Sequence, residues 1–241
     1  MDRRKLLRGL GAGAASLSLT STAWPKPFMA PSESRRFETS HRNRTTKIIG
    51  VGGAGCNFIR SLKSSLDTRR LTNIAELVCI DLGTHCLAPV DTLKQTTVGG
   101  LPLKTISLAP YGAGGRVNAA RAAALRHIDV LKAVVNGAGT VILVAGLGGG
   151  TGIGVTRIIA RLARNAGAIT IAAVVMPFDF EGLRNGTADT ALSNLGREVD
   201  LVMPFSNQEL GDSLGDSALL SDLHAQQDQR VTQWLQRLNL G

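Results

Sequence analysis

Val141–Val155 reads VILVAGLGGGTGIGV, and the fold is decided by how that stretch is parsed. Val141–Ala145 is a short apolar run rich in β-branched residues, the pattern of a strand buried on both faces of a parallel sheet. It passes directly into Gly146–Gly152, where five of seven residues are glycine. From Ile153 to Arg164 the apolar positions Val155, Ile158, Ile159 and Leu162 recur at helical spacing. The order is therefore buried strand, glycine loop, helix. Glycine lets a ligand approach the backbone with no Cβ in the way. The helix start adds unpaired N–H groups and about half a positive charge at the same spot. Together these make a phosphate seat. A strand-to-helix turn that needed glycine for geometry alone would use one or two. The loop holds no lysine and does not fit G-x-x-x-x-G-K-[ST], so phosphates here would be held by amides, the helix end and the Thr151 hydroxyl.

Two further glycine clusters follow strand-like runs. Thr46–Val51 reads as a first strand, broken at Gly52-Gly53-Ala54-Gly55-Cys56-Asn57 before a helix from Phe58 to Leu66. A second strand, Ala75–Ile80, ends at Asp81. Gly50, Gly52, Gly55 and Asp81 outline a dinucleotide-binding fingerprint, a weak signal when it stands alone. The segment Leu93–Ala109 is expected to be irregular, with a short strand at Thr105–Leu108. Gly112-Ala113-Gly114-Gly115 then leads into an alanine-rich helix, Val117–Val135, stopped by Asn136-Gly137. Beyond the central loop come a strand at Ala168–Met176, the turn PFDFEG at Pro177–Gly182, a helix at Leu183–Arg197 and a strand at Asp200–Met203. The final stretch, Ser217–Leu240, is an amphipathic helix carrying Val231, Trp234, Leu235 and Leu238 on one face. Alternating strands and helices imply an α/β fold, a Rossmann-like parallel sheet with helices on both faces and right-handed crossovers. Ligands in such sheets sit at the carboxyl ends of the strands, so the three glycine clusters should converge on one rim. A dehydrogenase needs only the first; three suit a ligand with several phosphates.

The chain of 241 residues suits one such domain plus a tail. Its net charge of +9 is concentrated at the front: residues 1–47 hold ten Lys/Arg against three acids, and the remainder 17 against 15. That distribution argues against a nucleic-acid-binding core. Residues 1–23 resemble a twin-arginine leader, with Arg3-Arg4, a weakly apolar run and Ser21-Thr22-Ala23 as a small-x-small site. A basic extension touching anionic lipid remains the open alternative. Residues 24–44 read as a disordered linker and 45–241 as the folded domain. Cys56, Cys79 and Cys86 form neither a CxxC nor a metal-ligand pattern, so reduced thiols and no metal site of the chain's own are expected. Cys56 reads as a packing residue, having no histidine near it in sequence.

Four stretches together resemble the FtsZ/tubulin GTPase family: Gly50–Asn57 (GVGGAGCN), Gly112–Gly115 (GAGG), Ala145–Gly154 (AGLGGGTGIG) and Pro177–Gly182 (PFDFEG). The third is close to the signature G-G-G-T-G-[ST]-G, with Ile153 where Ser or Thr is usual. The similarity runs from about Lys47 to Leu240, the nucleotide-binding half of that family. It implies a GTP/GDP site, with Mg2+ admitted alongside the nucleotide. Gly52, Gly53, Ala54, Gly55, Cys56 and Asn57 would line the diphosphate. Gly114, Gly115 and Arg116, with Gly148, Gly149, Gly150, Thr151 and Gly152, would surround the β- and γ-phosphates. Glu181 and Asn185 would lie at the ribose, and Asn207 and Gln227 at the base.

The departures are specific. Asn185 stands where the family has arginine, with Arg184 adjacent. Gly83 stands where an acid is usual. Arg116-Val117-Asn118 replaces Asn-Pro-Glu, placing a cation near the γ-phosphate. The chain also stops in or just after the helix that, in the family, leads to a loop of catalytic acids and a second subdomain. The resemblance therefore implies a GTP binder with little turnover of its own, which joins, caps or regulates a division filament through full-length FtsZ or a second copy. It also implies a cytoplasmic location, with twin-arginine export or tethering at the inner membrane as alternatives. Without the second subdomain the apolar face of the last helix should lie partly uncovered and able to dock. Two other readings stay open: a nucleotide-free interaction module or decayed duplicate of the same fold, and a nicotinamide oxidoreductase built on Gly50, Gly52, Gly55 and Asp81.

Overall fold

The computed structural model describes residues 45–65, 74–83, 95–98, 100–215 and 218–238. The leader and linker expected over residues 1–44, and Cys86, lie outside the described residues.

Seven strands form one sheet: β1 (Thr46–Val51), β2 (Ile74–Asp81), β3 (Gln95–Val98), β4 (Leu101–Ser107), β5 (Thr140–Gly146), β6 (Ile169–Met176) and β7 (Leu201–Ser206). Their order is β3-β4-β2-β1-β5-β6-β7, parallel throughout except for the β3–β4 pair. The segment expected to be largely irregular thus carries a hairpin in which Val98 pairs with Leu101. Pro102 and Lys104 lie on β4, the strand next to the edge, where they face away from buried Leu103 and dilute the apolar signal of the segment.

The helices are α1 (Gly52–Ser65), α2 (Val117–Arg126), α3 (Ile128–Val135), α4 (Gly150–Asn165), α5 (Leu183–Gly196), α6 (Asn207–Leu214) and α7 (Leu220–Arg237). Three differ from expectation. The first helix starts at Gly52, inside the glycine turn. The helix expected over Val117–Val135 breaks at His127, which leaves helical geometry at φ −109°, ψ 30°. α6 was unexpected: it is eight residues long and capped by Ser206, whose hydroxyl accepts from the Glu209 amide.

Strand alternation splits the core into two layers. On one face Ile49, Val78, Leu143 and Val174 meet α2, α3, α4 and α5. On the other, Ile48, Leu77, Ile142 and Ala173 meet α1 and α7. Val231, Trp234, Leu235 and Leu238 of α7 are 1%, 2%, 1% and 2% exposed. The uncovered apolar face anticipated on the last helix is therefore absent, and docking through these four residues is excluded. The sheet itself covers them, and Phe205 of β7 meets Trp234 edge-on with ring centroids 5.9 Å apart. Among the described residues no helix is long and apolar enough to cross a membrane.

The chain moves outward in one direction from β1 through β2 to β4, then restarts at β5 beside β1 and moves the other way. The switch point lies between β1 and β5, the place where an open α/β sheet leaves a crevice at its carboxyl edge.

Candidate functional site

A cavity of about 380 Å³ occupies that crevice, within the range usual for small-ligand sites. All three glycine turns line it: Gly52, Gly53 and Ala54 after β1; Gly112 through Gly115 before α2; and Gly146 with Gly148 through Gly152 after β5. The turns touch one another. A Cβ on Gly150 would sit 2.8 Å from the Gly115 carbonyl carbon, and one on Gly52 would sit 3.1 Å from the Gly152 nitrogen. Gly52 also has φ +72°, a left-handed conformation that glycine adopts without strain.

Two helices begin at this rim without side-chain caps. Gly149 caps α4 and Arg116 caps α2, and neither makes a side-chain cap hydrogen bond. The first-turn amides are thus left for an acceptor from outside the chain. Among the described residues no lysine or arginine lines the cavity. Arg116, exposed beside Gly115, turns its Nε back toward the Ala113 carbonyl at 3.5 Å, so its charge stays at the rim.

Of the residues singled out from sequence, Gly52, Gly53, Ala54, Gly114, Gly115, Gly148, Gly149, Gly150, Thr151, Gly152, Glu181 and Asn207 line the cavity. The other six stand behind or beside it. Gly55 is a packing position, since a Cβ there would lie 2.2 Å from the Val144 carbonyl oxygen of β5. Cys56 is buried, with its Sγ 3.6 Å from the Gly50 carbonyl and 3.7 Å from that of Ile80. The hydrogen bond with Cys79, then burial, push the Cys56 thiol well above its ordinary range and keep it protonated. Asn57 is exposed and meets Arg60 at 3.5 Å. Asn185 donates to the carbonyls of Phe178 and Asp179 at 3.2 and 3.1 Å, closing the PFDFEG turn from outside.

Gln227 acts through a neighbour. Its Nε2 donates to Asn207 Oδ1 at 3.1 Å and to the Phe205 carbonyl at 3.2 Å. At 3% exposure it fixes Asn207 in place, leaving the Asn207 amide nitrogen without a protein partner among the described residues. Glu181 is held just as firmly: Oε1 accepts from the Phe178 amide at 3.0 Å and Oε2 from Arg184 at 2.7 Å.

Sequence reasoning passed over one site residue, Asp81, as a site acid of this cavity. It lines the cavity at the end of β2, accepts from the Leu82 amide at 2.8 Å, and hydrogen-bonds Thr151. Burial raises its pKa above the ordinary carboxylate value, outweighing those bonds. An acid at the carboxyl end of a strand beside the switch point is the available signal, and the sequence places Asp81 only in a dinucleotide-binding fingerprint. The acid expected two residues further on is replaced by Gly83, which packs against Gly112 at φ +96°. Among the described residues no cluster of three or more His, Cys, Asp or Glu could hold a metal ion. Asp81 and the Thr151 hydroxyl fit a divalent cation only as oxygen donors beside phosphates that supply the rest.

Residues 45–215 match the model of the tubulin/FtsZ family, GTPase domain. Cell division protein FtsZ of Neisseria gonorrhoeae is 30% identical over 176 residues, 73% of this chain and 42% of that protein. The FtsZ of Mycoplasmopsis pulmonis is 34% identical over 174 residues, 72% of this chain and 42% of that protein. The chain therefore spans less than half the length of these relatives. An empty FtsZ dimer from M. jannaschii superposes with a TM-score of 0.64 at 24% identity, covering 82% of this chain and 55% of that one. CetZ2 from Haloferax volcanii, in a GTPγS-bound protofilament, gives 0.64 at 21% identity, covering 81% and 58%. At those identities the two structures bear on the fold alone.

Proposed function

The chain belongs to the tubulin/FtsZ family, as its GTPase domain, and on that premise we propose that it binds GTP and GDP in the crevice between β1 and β5. The observation that carries the reading is the meeting of three glycine turns and two uncapped helix starts around one cavity. Gly52, Gly53 and Ala54 serve the inner phosphates; Gly149, Gly150, Thr151 and Gly114-Gly115 serve the outer ones. Glu181 takes the ribose hydroxyls, and the Gln227-anchored Asn207 reads the base. A divalent cation, when bound, neutralises phosphate charge, and Asp81 with Thr151 stands where it would be held.

We further propose that the 241-residue chain turns GTP over slowly by itself. Hydrolysis needs a group to orient the attacking water, and the two acids at the cavity are occupied. Asp81 is bonded by Leu82 and Thr151, and Glu181 by Phe178 and Arg184. Lacking such a group costs about 10²–10⁴-fold in rate. Full-length FtsZ could supply the acid from outside, which makes this chain a joining, capping or regulating piece of a division filament. A nucleotide-free interaction module is the second reading, favoured by the Asp81 carboxylate facing the phosphate seat without a lysine to offset it.

Titration of the full chain with GTP, ATP and NAD, with and without Mg2+, separates these. GTP binding with weaker ATP binding supports the proposal; no binding of any of the three supports the interaction module. Fast phosphate release that rises with protein concentration would overturn slow turnover.

A further inference from the structure

Behind the glycine loop lies a second cavity, about 470 Å³, between α2, α4 and α5. The nucleotide reading makes no use of it. Its walls divide by chemistry. Leu147, Ile153, Ile158 and Leu195 supply apolar surface, Thr187, Thr190 and Asn194 neutral polar groups, and Arg121, Arg157 and Arg161 charge, with no acidic residue in the lining among the described residues. Arg157 is neutralised by Glu198, its Nε and one terminal nitrogen reaching the same carboxylate oxygen at 3.2 and 3.0 Å. Arg121 and Arg161 have neither an ion pair nor a hydrogen bond among the described residues, so two uncompensated cations face one apolar hollow. Thr156, 1% exposed, lines the same cavity, and its Oγ1 has no hydrogen-bond partner. A buried hydroxyl left unpaired is unfavourable, and α4 would have to shift slightly for a bound polar atom to reach it.

We propose that this cavity binds a small organic anion: an apolar, ring-sized body against the leucine and isoleucine walls, with a sulfonate, phosphate or carboxylate between Arg121 and Arg161. Guanidinium groups are suited to such oxyanions because they present several donors in a fixed plane. The site is coupled to the crevice between β1 and β5, since Gly152 lines both cavities and α4 runs from one into the other. Occupation fixes the start of α4, the element that supplies the outer-phosphate amides. The coupling rests on the nucleotide reading; the anion site does not.

The test uses the full chain and two fluorescent probes, 8-anilinonaphthalene-1-sulfonate and its uncharged analogue N-phenyl-1-naphthylamine. The sulfonate binds saturably at one site. Arg121→Gln/Arg161→Gln weakens it about tenfold or more while the uncharged probe changes less than twofold, and Thr190→Phe, which fills the cavity, removes both. Near-ultraviolet dichroism confirms that these exposed substitutions leave the fold intact. Non-saturable binding, sulfonate affinity indifferent to the arginines, or complete competitive displacement of the probe by GTP would each overturn the site. Saturating sulfonate shifts GTP affinity at least twofold, and GTP shifts sulfonate affinity by the same factor. If GTP binds and no shift appears, the coupling fails. If GTP does not bind at all, the nucleotide reading fails, and the probe titrations still decide the anion site.

Discussion

Gly152→Ala probes the closest approach in the candidate site. A Cβ there would lie 2.0 Å from the Gly146 carbonyl oxygen. Reaching an ordinary 3.4 Å contact requires the start of α4 and the end of β5 to separate by about 1.4 Å. Both atoms are anchored to backbone, so no rotamer change can absorb the overlap. Overpacking a well-filled site costs roughly 1–3 kcal/mol, and rigid partners place this case near the top, about 3 kcal/mol. For a domain of this size that is a fall of about 6–12 °C in Tm. Displacement of the helix start by about 1 Å should also lower GTP affinity on the order of 100-fold. Gly149→Ala is the control, because its Cβ would meet nothing within 4 Å and it caps the same helix. It should leave Tm within about 2 °C yet weaken GTP, since the added methyl enters the open cavity. Thermal unfolding and titration with a fluorescent GTP analogue give both quantities. If Gly152→Ala matches the parent in Tm and in affinity, the turn does not press on β5 as described, and the phosphate-seat argument loses its geometric basis.

The remaining predictions draw on other parts of the molecule. Trp234→Ala should cost about 3–5 kcal/mol, the usual penalty for emptying a buried aromatic site, and should leave the association state unchanged; a changed sedimentation profile at unchanged stability would contradict the packing of α7 on the sheet. Gln227→Leu frees Asn207 and should reduce the preference for GTP over ATP about tenfold while sparing affinity for inorganic pyrophosphate, measured by calorimetry. Asp81 has a folded pKa raised by burial, so its contribution to stability is fully present below the unfolded carboxylate range, near 3.8, and is lost as pH rises through the higher folded value. Asp81→Asn should therefore gain on the parent in denaturant midpoint between pH 4 and pH 7, and a constant difference across that range would refute the shift. The same substitution should strengthen GTP binding in the absence of Mg2+ at neutral pH by removing a like charge from the phosphate seat.

The residues that could be interpreted from sequence were those whose role is local. Val141–Ala145 declared a buried strand because both its neighbours in the sheet are parallel, which removes alternation and leaves a continuous apolar run. Glycine turns declared themselves because close approach of backbone to backbone admits no other residue, as Gly150 against Gly115 illustrates. What escaped was set by contacts across the chain. Asp81 is an ordinary strand-end acid until β2 is placed one strand away from β5, whereupon it meets Thr151 from a loop 70 positions later. Gln227 looks like a surface glutamine on α7 until the helix packs against β7 and its amide reaches Asn207. The apolar stripe of α7 could be recognised as apolar, but whether the sheet or a partner covers it depends on the width of the sheet's second face, which only β7 and Phe205 complete. Asn185 shows the converse. At a position where the resemblance implies a ribose contact, its short amide reaches the carbonyls of its own turn instead, so the family's motif survives as shape while the cavity-facing part of that turn falls to Glu181, held in place by Arg184.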